Sequence, residues 1–514
     1  MRPRMPSFWV KAALSLAVVA AADVLLFDAG GLGLNLGLFS LALVGALGFV
    51  TPAIFRHRLA LLAFAAAALL AVLQIERATF VGWMLFAVAL GVAALAPRAP
   101  AREDGWRWTQ RLVVGGLKAL VGPLVDLRDV LRARARRGPA RTALMVVSAG
   151  LPLLGGVVFV SLFAAANPVI EGAFAAIRLP ELEVARPVFW AMIALIVWAV
   201  LRPRGLRRTL DAPRLDGDLD LPGVTTGSIC ASLVVFNLIF AVQNGLDVAF
   251  LWSGAGLPEG MTFADYAHRG AYPLIATALL AGLFVLVFLR PGSATAQSQP
   301  VRKLVALWVA QNLFLVASTA LRTFDYVEVY SLTRMRIAAL LWMALIAVGL
   351  VLITWRLLRG KSSGWLVNAN LLAAGAALLL CSVVDLGAIA AAWNVRHARE
   401  AGGRGVGLDL CYMRELRGAA VVSLAEMERR ELPEDLRRRV AVVRAELAAD
   451  MLDRTRDWRG WRFRDARRLA RLEALGSPAS RAGHGTAYRC DGALRILRPS
   501  SPATPLTPSP KPGS

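Results

Sequence analysis

The chain has 514 residues, of which 57% are hydrophobic and only 18% are charged; an ordinary soluble protein is about 25% charged. Its formal net charge of +23 would indicate nucleic acid in a soluble protein, yet no DNA- or RNA-binding module can be read in it. Arg is packed between long uncharged stretches, which excludes an ordinary soluble globule and points to Arg-rich loops against an anionic membrane surface.

Apolar runs near the spanning length of roughly 20 residues fall at about 8–27, 32–55, 59–75, 79–97, 143–166, 187–201, 225–252, 271–289, 303–321, 337–355 and 366–392. Backbone polar groups in lipid must be satisfied within the segment, so each run is expected to be a helix. The fold class is therefore all-α: a polytopic bundle of about eleven transmembrane helices with a small helical soluble domain at its C-terminus. The first run follows Arg2, Arg4 and Lys11 in the manner of a signal peptide. Its hydrophobicity continues through Leu25-Leu26-Phe27 and more spans follow, so it reads as a retained helix. Gly33 and Gly37, four apart, are small enough for close helix packing, although so Gly- and Ala-rich a chain yields such pairs by chance.

The expected organisation is four helices over 1–97, a basic loop over 98–142, a seven-helix core over 143–392, a helical domain over 393–480 and a largely disordered tail over 481–514. Leu112 to Val125 is apolar but short, is broken by Lys118 and Pro123, and reads as an interfacial amphipathic helix. The basic loops are Arg56-His57-Arg58, 98–142 with some eleven Lys and Arg, Arg202 to Arg208, Arg290 to Lys303 and Arg356 to Lys361. They alternate with poorer ones, which puts the N-terminus in the cytoplasm. An odd number of spans then places 393–514 outside. That tail reads as helices near 408–430, 434–452 and 457–475, with a break and restart at Leu432-Pro433-Glu434-Asp435.

Catalytic signatures are missing. Gly360-Lys361-Ser362 lacks the upstream glycine and the strand of a phosphate loop, and no metalloprotease, nucleophile-elbow or kinase motif occurs. The four cysteines and four histidines show no metal-ligand spacing, so no catalytic residue, metal or cofactor is assigned. Cys230 and Cys381 sit in apolar runs as small hydrophobes. Cys411 and Cys490 can pair if the tail is outside; two free thiols is the other reading.

Polar residues inside apolar helices are costly and often functional. Asn237, Asn244 and Asp247 are spaced by seven and three and share a face; Gln311, Ser318 and Arg322, spaced by seven and four, share another, with Asn312 and Thr319 beside it. Asp385 falls in the outer half of the last predicted helix. These form a candidate intramembrane polar stripe, against the plainer reading of interhelical hydrogen bonds. A second candidate lies on the outer face: Arg322, Tyr326, Tyr330, Thr333 and Arg336, with Tyr266, His268 and Arg269 from the neighbouring loop, as an anion site. The plainer alternative there is an ion-paired connector with tyrosines in an aromatic belt.

Three stretches carry a resemblance. They are Phe263-Ala264-Asp265-Tyr266-Ala267-His268-Arg269-Gly270; the set Arg322, Tyr326, Tyr330, Leu332, Thr333 and Arg336; and Asn394 with Asp409-Leu410-Cys411-Tyr412 and Asp457-Trp458-Arg459-Gly460-Trp461. They resemble the uncharacterised bacterial membrane-protein family known as domain of unknown function 4173, related to the 4153 family. The departures are Ser331, where that family usually has Gly, and Pro273, where an acid or amide is expected. The resemblance implies a multi-spanning inner-membrane protein and supplies no catalytic residues. The leading functional expectation is a non-enzymatic envelope protein for transport, sensing or assembly. Its partners would be the bilayer and an anionic lipid headgroup or small anion, not nucleic acid. The alternatives are a membrane enzyme on a lipid-linked substrate, using Asp265, Asp325 and Glu328, and a scaffold whose tail binds a protein.

Overall fold

The computed structural model describes residues 8–100, 103–135, 156, 184–204, 209–210, 225–253, 263–290, 293–477 and 489–493. Every regular element among them is helical: α1 Phe8–Leu26, α2 Leu34–Val50, α3 Arg58–Glu76, α4 Phe80–Leu95, α5 Gly105–Leu120, α6 Gly122–Ala135, α7 Ala185–Leu201, α8 Thr226–Asp247, α9 Phe263–Phe288, α10 Gln299–Tyr330, α11 Arg334–Arg359, α12 Ser363–Val383, α13 Leu386–His397, α14 Leu410–Glu415, α15 Val421–Glu428, α16 Glu434–Arg454 and α17 Phe463–Ala474. Among the described residues, seven helices are long and apolar enough to cross a membrane: α1, α3, α4 with the turn to Arg98, α8, α10, α11 and α12. The apolar helices α2, α7 and Ala276–Phe288 of α9 are shorter. The run expected at 143–166 lies outside the described residues.

Polar residues mark the helix starts. The Thr79 hydroxyl accepts from the Gly82 N–H at 3.0 Å, Asp104 from Arg107 at 3.0 Å and Ser362 from Trp365 at 3.2 Å, while Thr225 and Ser228 form a capping box at α8. Each bond satisfies a backbone donor left over in a first helical turn. The basic loop becomes two helices, α5 and α6, meeting at Val121-Gly122; neither has the length and composition of a span.

The chain divides into two compact units. The first comprises Met1–Val327, Met335–Asp385 and Arg454–Ala466. One apolar core joins α1–α4 and α7 around Leu43, Leu47, Phe86 and Val197; another joins α8–α11 around Leu233, Val285, Val305 and Leu350. Gly37 has a packing role, because a Cβ there would lie 2.2 Å from the Ile75 side chain of α3. A Cβ on Gly33 would lie 2.3 Å from the Trp461 carbonyl oxygen. The contact at Gly33 reflects how 457–464 docks. Trp461 O accepts from the Leu34 N–H at 2.8 Å, Arg459 Nη1 donates to the carbonyls of Val24 at 3.0 Å and Phe27 at 3.1 Å, and Arg462 Nε donates to Leu32 O at 2.7 Å. Asp457 aligns Arg459 through an Oδ2–Nε contact of 2.6 Å. The Arg459 backbone N–H bound to it holds the Asp457 carboxyl below the usual carboxylate range. The Asp457-to-Trp461 motif is thus a docking strap for the α1–α2 turn.

The second unit comprises Glu328–Arg334, Leu386–Asp453 and Arg467–Ser514. Asn394 holds the 331–333 turn from both sides: its Oδ1 accepts from the Leu332 N–H at 2.7 Å and its Nδ2 donates to Leu332 O at 3.0 Å. The Tyr412 hydroxyl accepts from the Arg334 N–H at 2.8 Å, and Arg334 Nη2 donates to Leu416 O at 3.0 Å. Met413, Leu424, Met427, Val443 and Met451 form the interior, and Arg444 pairs with Glu428 at 2.7 Å. Cys411 and Cys490 are joined in a disulfide, which decides between the two readings of these thiols.

Two expected helices are broken. The run 366–392 ends at Val383, because Val384 turns extended, and a new helix starts at Leu386. The run 408–430 divides into α14 and α15 at Arg417, whose φ of 55° lies in the left-handed region. The break at 432–435 is where the acids and proline place it, with the Arg437 N–H bonded to Pro433 O at 2.9 Å.

Candidate functional site

The polar faces of α8 and α10 meet along a seam. Polar side chains within apolar helices need partners on neighbouring helices, and here the partners are each other. Asn237 Nδ2 donates to Leu233 O at 2.8 Å and across the seam to Leu304 O at 3.1 Å. Gln311 Nε2 returns a bond to Asn237 Oδ1 at 2.7 Å, and one helical stretch on, Asn244 Nδ2 donates to Gln311 O at 3.2 Å. Beyond them, Trp252 Nε1 donates to Ser318 Oγ at 3.0 Å.

The seam ends in an ion pair. Arg322 Nη2 donates to Asp247 Oδ1, with the two side chains 6% and 2% exposed, and Gln243 Nε2 adds a bond to the same oxygen at 3.0 Å. A buried pair of this kind costs several kcal/mol per ion in desolvation, offset only where the geometry is good.

Several acceptors remain unmatched. Asn244 Oδ1, Gln311 Oε1, Asn312 Oδ1 and Asp247 Oδ2 are buried and have no hydrogen-bond donor among the described residues. Beside the amides lies a groove of about 490 Å³, lined by Asn237, Asn244 and Gln311 with Val234, Leu304 and Leu307. The seam therefore offers oxygens to a ligand that carries N–H, O–H or positive charge.

The structure brings Asn237, Asn244, Gln311, Asp247, Ser318 and Arg322 together on this one seam, merging most of the stripe with a residue assigned to the outer-face site. Gln243 and Trp252 were not singled out from the sequence. Gln243 stands four residues before Asp247, a spacing that could have shown it; for Trp252 no such signal exists. Asp385 is a correction: it stands in the break after α12, not within a helix, and pairs with Arg464 at 3.4 Å.

Arg322 faces Asp247, whereas Arg336 stacks its guanidinium 4.2 Å from the Tyr326 ring centroid. The two arginines on which the outer-face anion site rests thus have different partners. Tyr330 and Thr333 belong to the second unit. Tyr266, His268 and Arg269 lie in the first turns of α9, and their side chains are outside the description.

Helices of spanning length and a buried ion pair between two of them define a polytopic α-helical membrane protein. Its family can also be stated. Domain of unknown function (DUF4153) matches residues 59–427, well over half of the chain, and the chain belongs to that family. The family shown is thus the 4153 relative; the match does not extend to the 4173 family that the motifs suggested. No curated protein and no solved structure matches the chain.

Proposed function

We propose that this protein is a non-enzymatic, multi-spanning protein of a bacterial inner membrane that binds and passes a small polar solute along the α8–α10 seam. The observation that carries this reading is the pair of buried oxygens, Asn244 Oδ1 and Gln311 Oε1, that have no donor among the described residues and whose side chains line the otherwise apolar groove, with Asn312 Oδ1 and Asp247 Oδ2 likewise without a donor on the same two helices. Buried polar atoms are nearly always satisfied, so such a cluster favours a ligand rich in donors: a cation, an amine or a polyol. The Asp247–Arg322 pair fixes one end of the seam, and intramembrane ionisable groups commonly mark solute or ion paths.

The reading includes eleven spans, a cytoplasmic N-terminus and an extracytoplasmic tail. Within the first unit, the helix ends that the basic-loop alternation assigns outside gather around 459–464: the α1–α2 turn, Glu76 and Asp385. The ends assigned inside, carrying Lys11, Arg98, Asp126 and Arg202, gather at the other ends of those helices. The Cys411–Cys490 disulfide supports an oxidising compartment for the tail.

The test uses the full chain, purified and reconstituted in liposomes, against a panel of inorganic cations, polyamines, amino acids and polyols. At least one should raise the apparent Tm, as binding to the folded state must, and should accumulate in the vesicles. Asn244→Leu and Gln311→Leu should abolish both effects. The reading fails if no member of the panel protects or accumulates and both variants replace the parent in every phenotype of a deletion strain.

A further inference from the structure

A second cluster of charge lies at the other end of the first unit, where α1, α4, α6 and α7 come together. Lys11 is buried, at 8% exposure, within electrostatic range of Arg98, Arg202 and Asp126. Asp126, itself buried, accepts from Trp198 Nε1 at 2.8 Å and pairs with Arg202 at 3.2 Å and with Arg204. Among the described residues, Asp126 thus faces three cations, Lys11, Arg202 and Arg204. Arg204 uses Nη2 for Asp126 and for Gly122 O at 2.8 Å, while its Nη1 is buried with no acceptor among the described residues. Lys11 is buried while Arg202 and Arg204 are partly exposed, and among the described residues base exceeds acid here, which favours an anion at this end.

An apolar groove begins at the same arginine. It has a volume of about 460 Å³ and follows α4 from Phe80 past Gly91 to Leu95, walled by α5 at Gly116, by α7 at Ile196 and closed at Arg204. Phe80 and Leu95 stand about 22 Å apart at 1.5 Å per residue, more than the roughly 15 Å depth of one leaflet of a 30 Å hydrocarbon core. The volume lies in the range of about 300–1,000 Å³ usual for small-molecule sites. A slot of this form, apolar along its length and cationic at one end, has the chemistry of one anionic amphiphile.

We infer that this end of the protein holds an anionic phospholipid, its phosphate among Lys11, Arg98, Arg202 and Arg204 and an acyl chain in the groove along α4. The site is separate from the α8–α10 seam and does not rest on the solute reading. Basic pockets between helices on the cytoplasmic side suit such headgroups, since that leaflet is rich in anionic lipid. The bound lipid would supply the missing negative charge and would tie the amphipathic helix α5 to α4 and α7.

The experiment is native mass spectrometry of the intact protein released from detergent with phosphatidylglycerol, with phosphatidylcholine of identical chains, or with inorganic phosphate. Phosphatidylglycerol should be retained about tenfold or more over phosphatidylcholine. Gly116→Leu places a side chain in the groove at a position where a Cβ meets nothing within 4 Å. It should lower phosphatidylglycerol retention about tenfold and leave the lipid-free Tm unchanged. Lys11→Gln with Arg98→Gln should erase the preference between the two lipids. Equal retention of both lipids by the parent overturns the inference, as does parent-like retention in Gly116→Leu. Displacement of phosphatidylglycerol by inorganic phosphate would show a free-anion site and would also overturn it. If the double variant does not fold, the lipid pair and Gly116→Leu still decide.

Discussion

Arg464 and Glu76, 388 residues apart in the chain, meet with Nη2 at 3.0 Å from Oε1. The same guanidinium donates to Val383 O at 2.8 Å and lies 3.4 Å from Asp385. One side chain of the tail therefore pins the ends of α3 and α12. Its side chain is 12% exposed and its two carboxylates are 27% and 15% exposed, so the pairs are partly screened. Arg464→Ala should cost on the order of 2 kcal/mol, below the 3–5 kcal/mol of a fully buried pair, and Arg464→Lys less. Thermal unfolding in detergent measures both; an unchanged Tm for Arg464→Ala would show that the strap holds without its arginine.

The Asp247–Arg322 pair is more deeply buried, so breaking it from one side should cost more. Asp247→Asn leaves the guanidinium charge in place and should cost about 3–5 kcal/mol. Asp247→Asn with Arg322→Gln removes both charges and should recover much of that loss. A double-mutant cycle on Tm tests this; additive effects would mean the two side chains are energetically independent.

Ser331 has a φ of 69°, in the left-handed region, where a side chain costs about 1–2 kcal/mol relative to its usual conformations and glycine costs little. Ser331→Gly should raise Tm, by up to about 1 kcal/mol of stability, and Ser331→Val should lower it. A Tm that falls in Ser331→Gly would show that the serine side chain holds the turn.

The Cys411–Cys490 disulfide closes a sequence separation of 79 residues. Loop-closure entropy assigns such a cross-link about 4.5 kcal/mol as an upper value. Cys411→Ala should therefore loosen the second unit and abolish a reduction-dependent gel shift that persists in Cys230→Ala/Cys381→Ala. A parent protein whose mobility ignores reductant would exclude the bond in the cell.

Topology is open to direct measurement. Reporter fusions at Arg137, Asp265 and Arg417 should read cytoplasmic, external and external. A cytoplasmic signal at Arg417 together with an external one at Asp265 would overturn the eleven-span count.

What the sequence determined on its own is the solvent of each segment and the period of each helix. Hydropathy is local, so runs such as 59–75, 79–97 and 337–355 fall on α3, α4 and α11, and the proline and acids at 433–435 start α16 where they stand. The seven-residue spacings of Asn237 with Asn244 and of Gln311 with Ser318 likewise identified two polar faces. That these faces meet, that Arg322 turns to Asp247 and not to Arg336, and that Arg464 captures Asp385 are decisions of packing. Each joins residues more than sixty positions apart, and a spacing rule describes only one helix at a time. The break at Val384-Asp385 belongs with them: an apolar run has no internal reason to stop there, and the charge becomes tolerable only once a distant arginine reaches it.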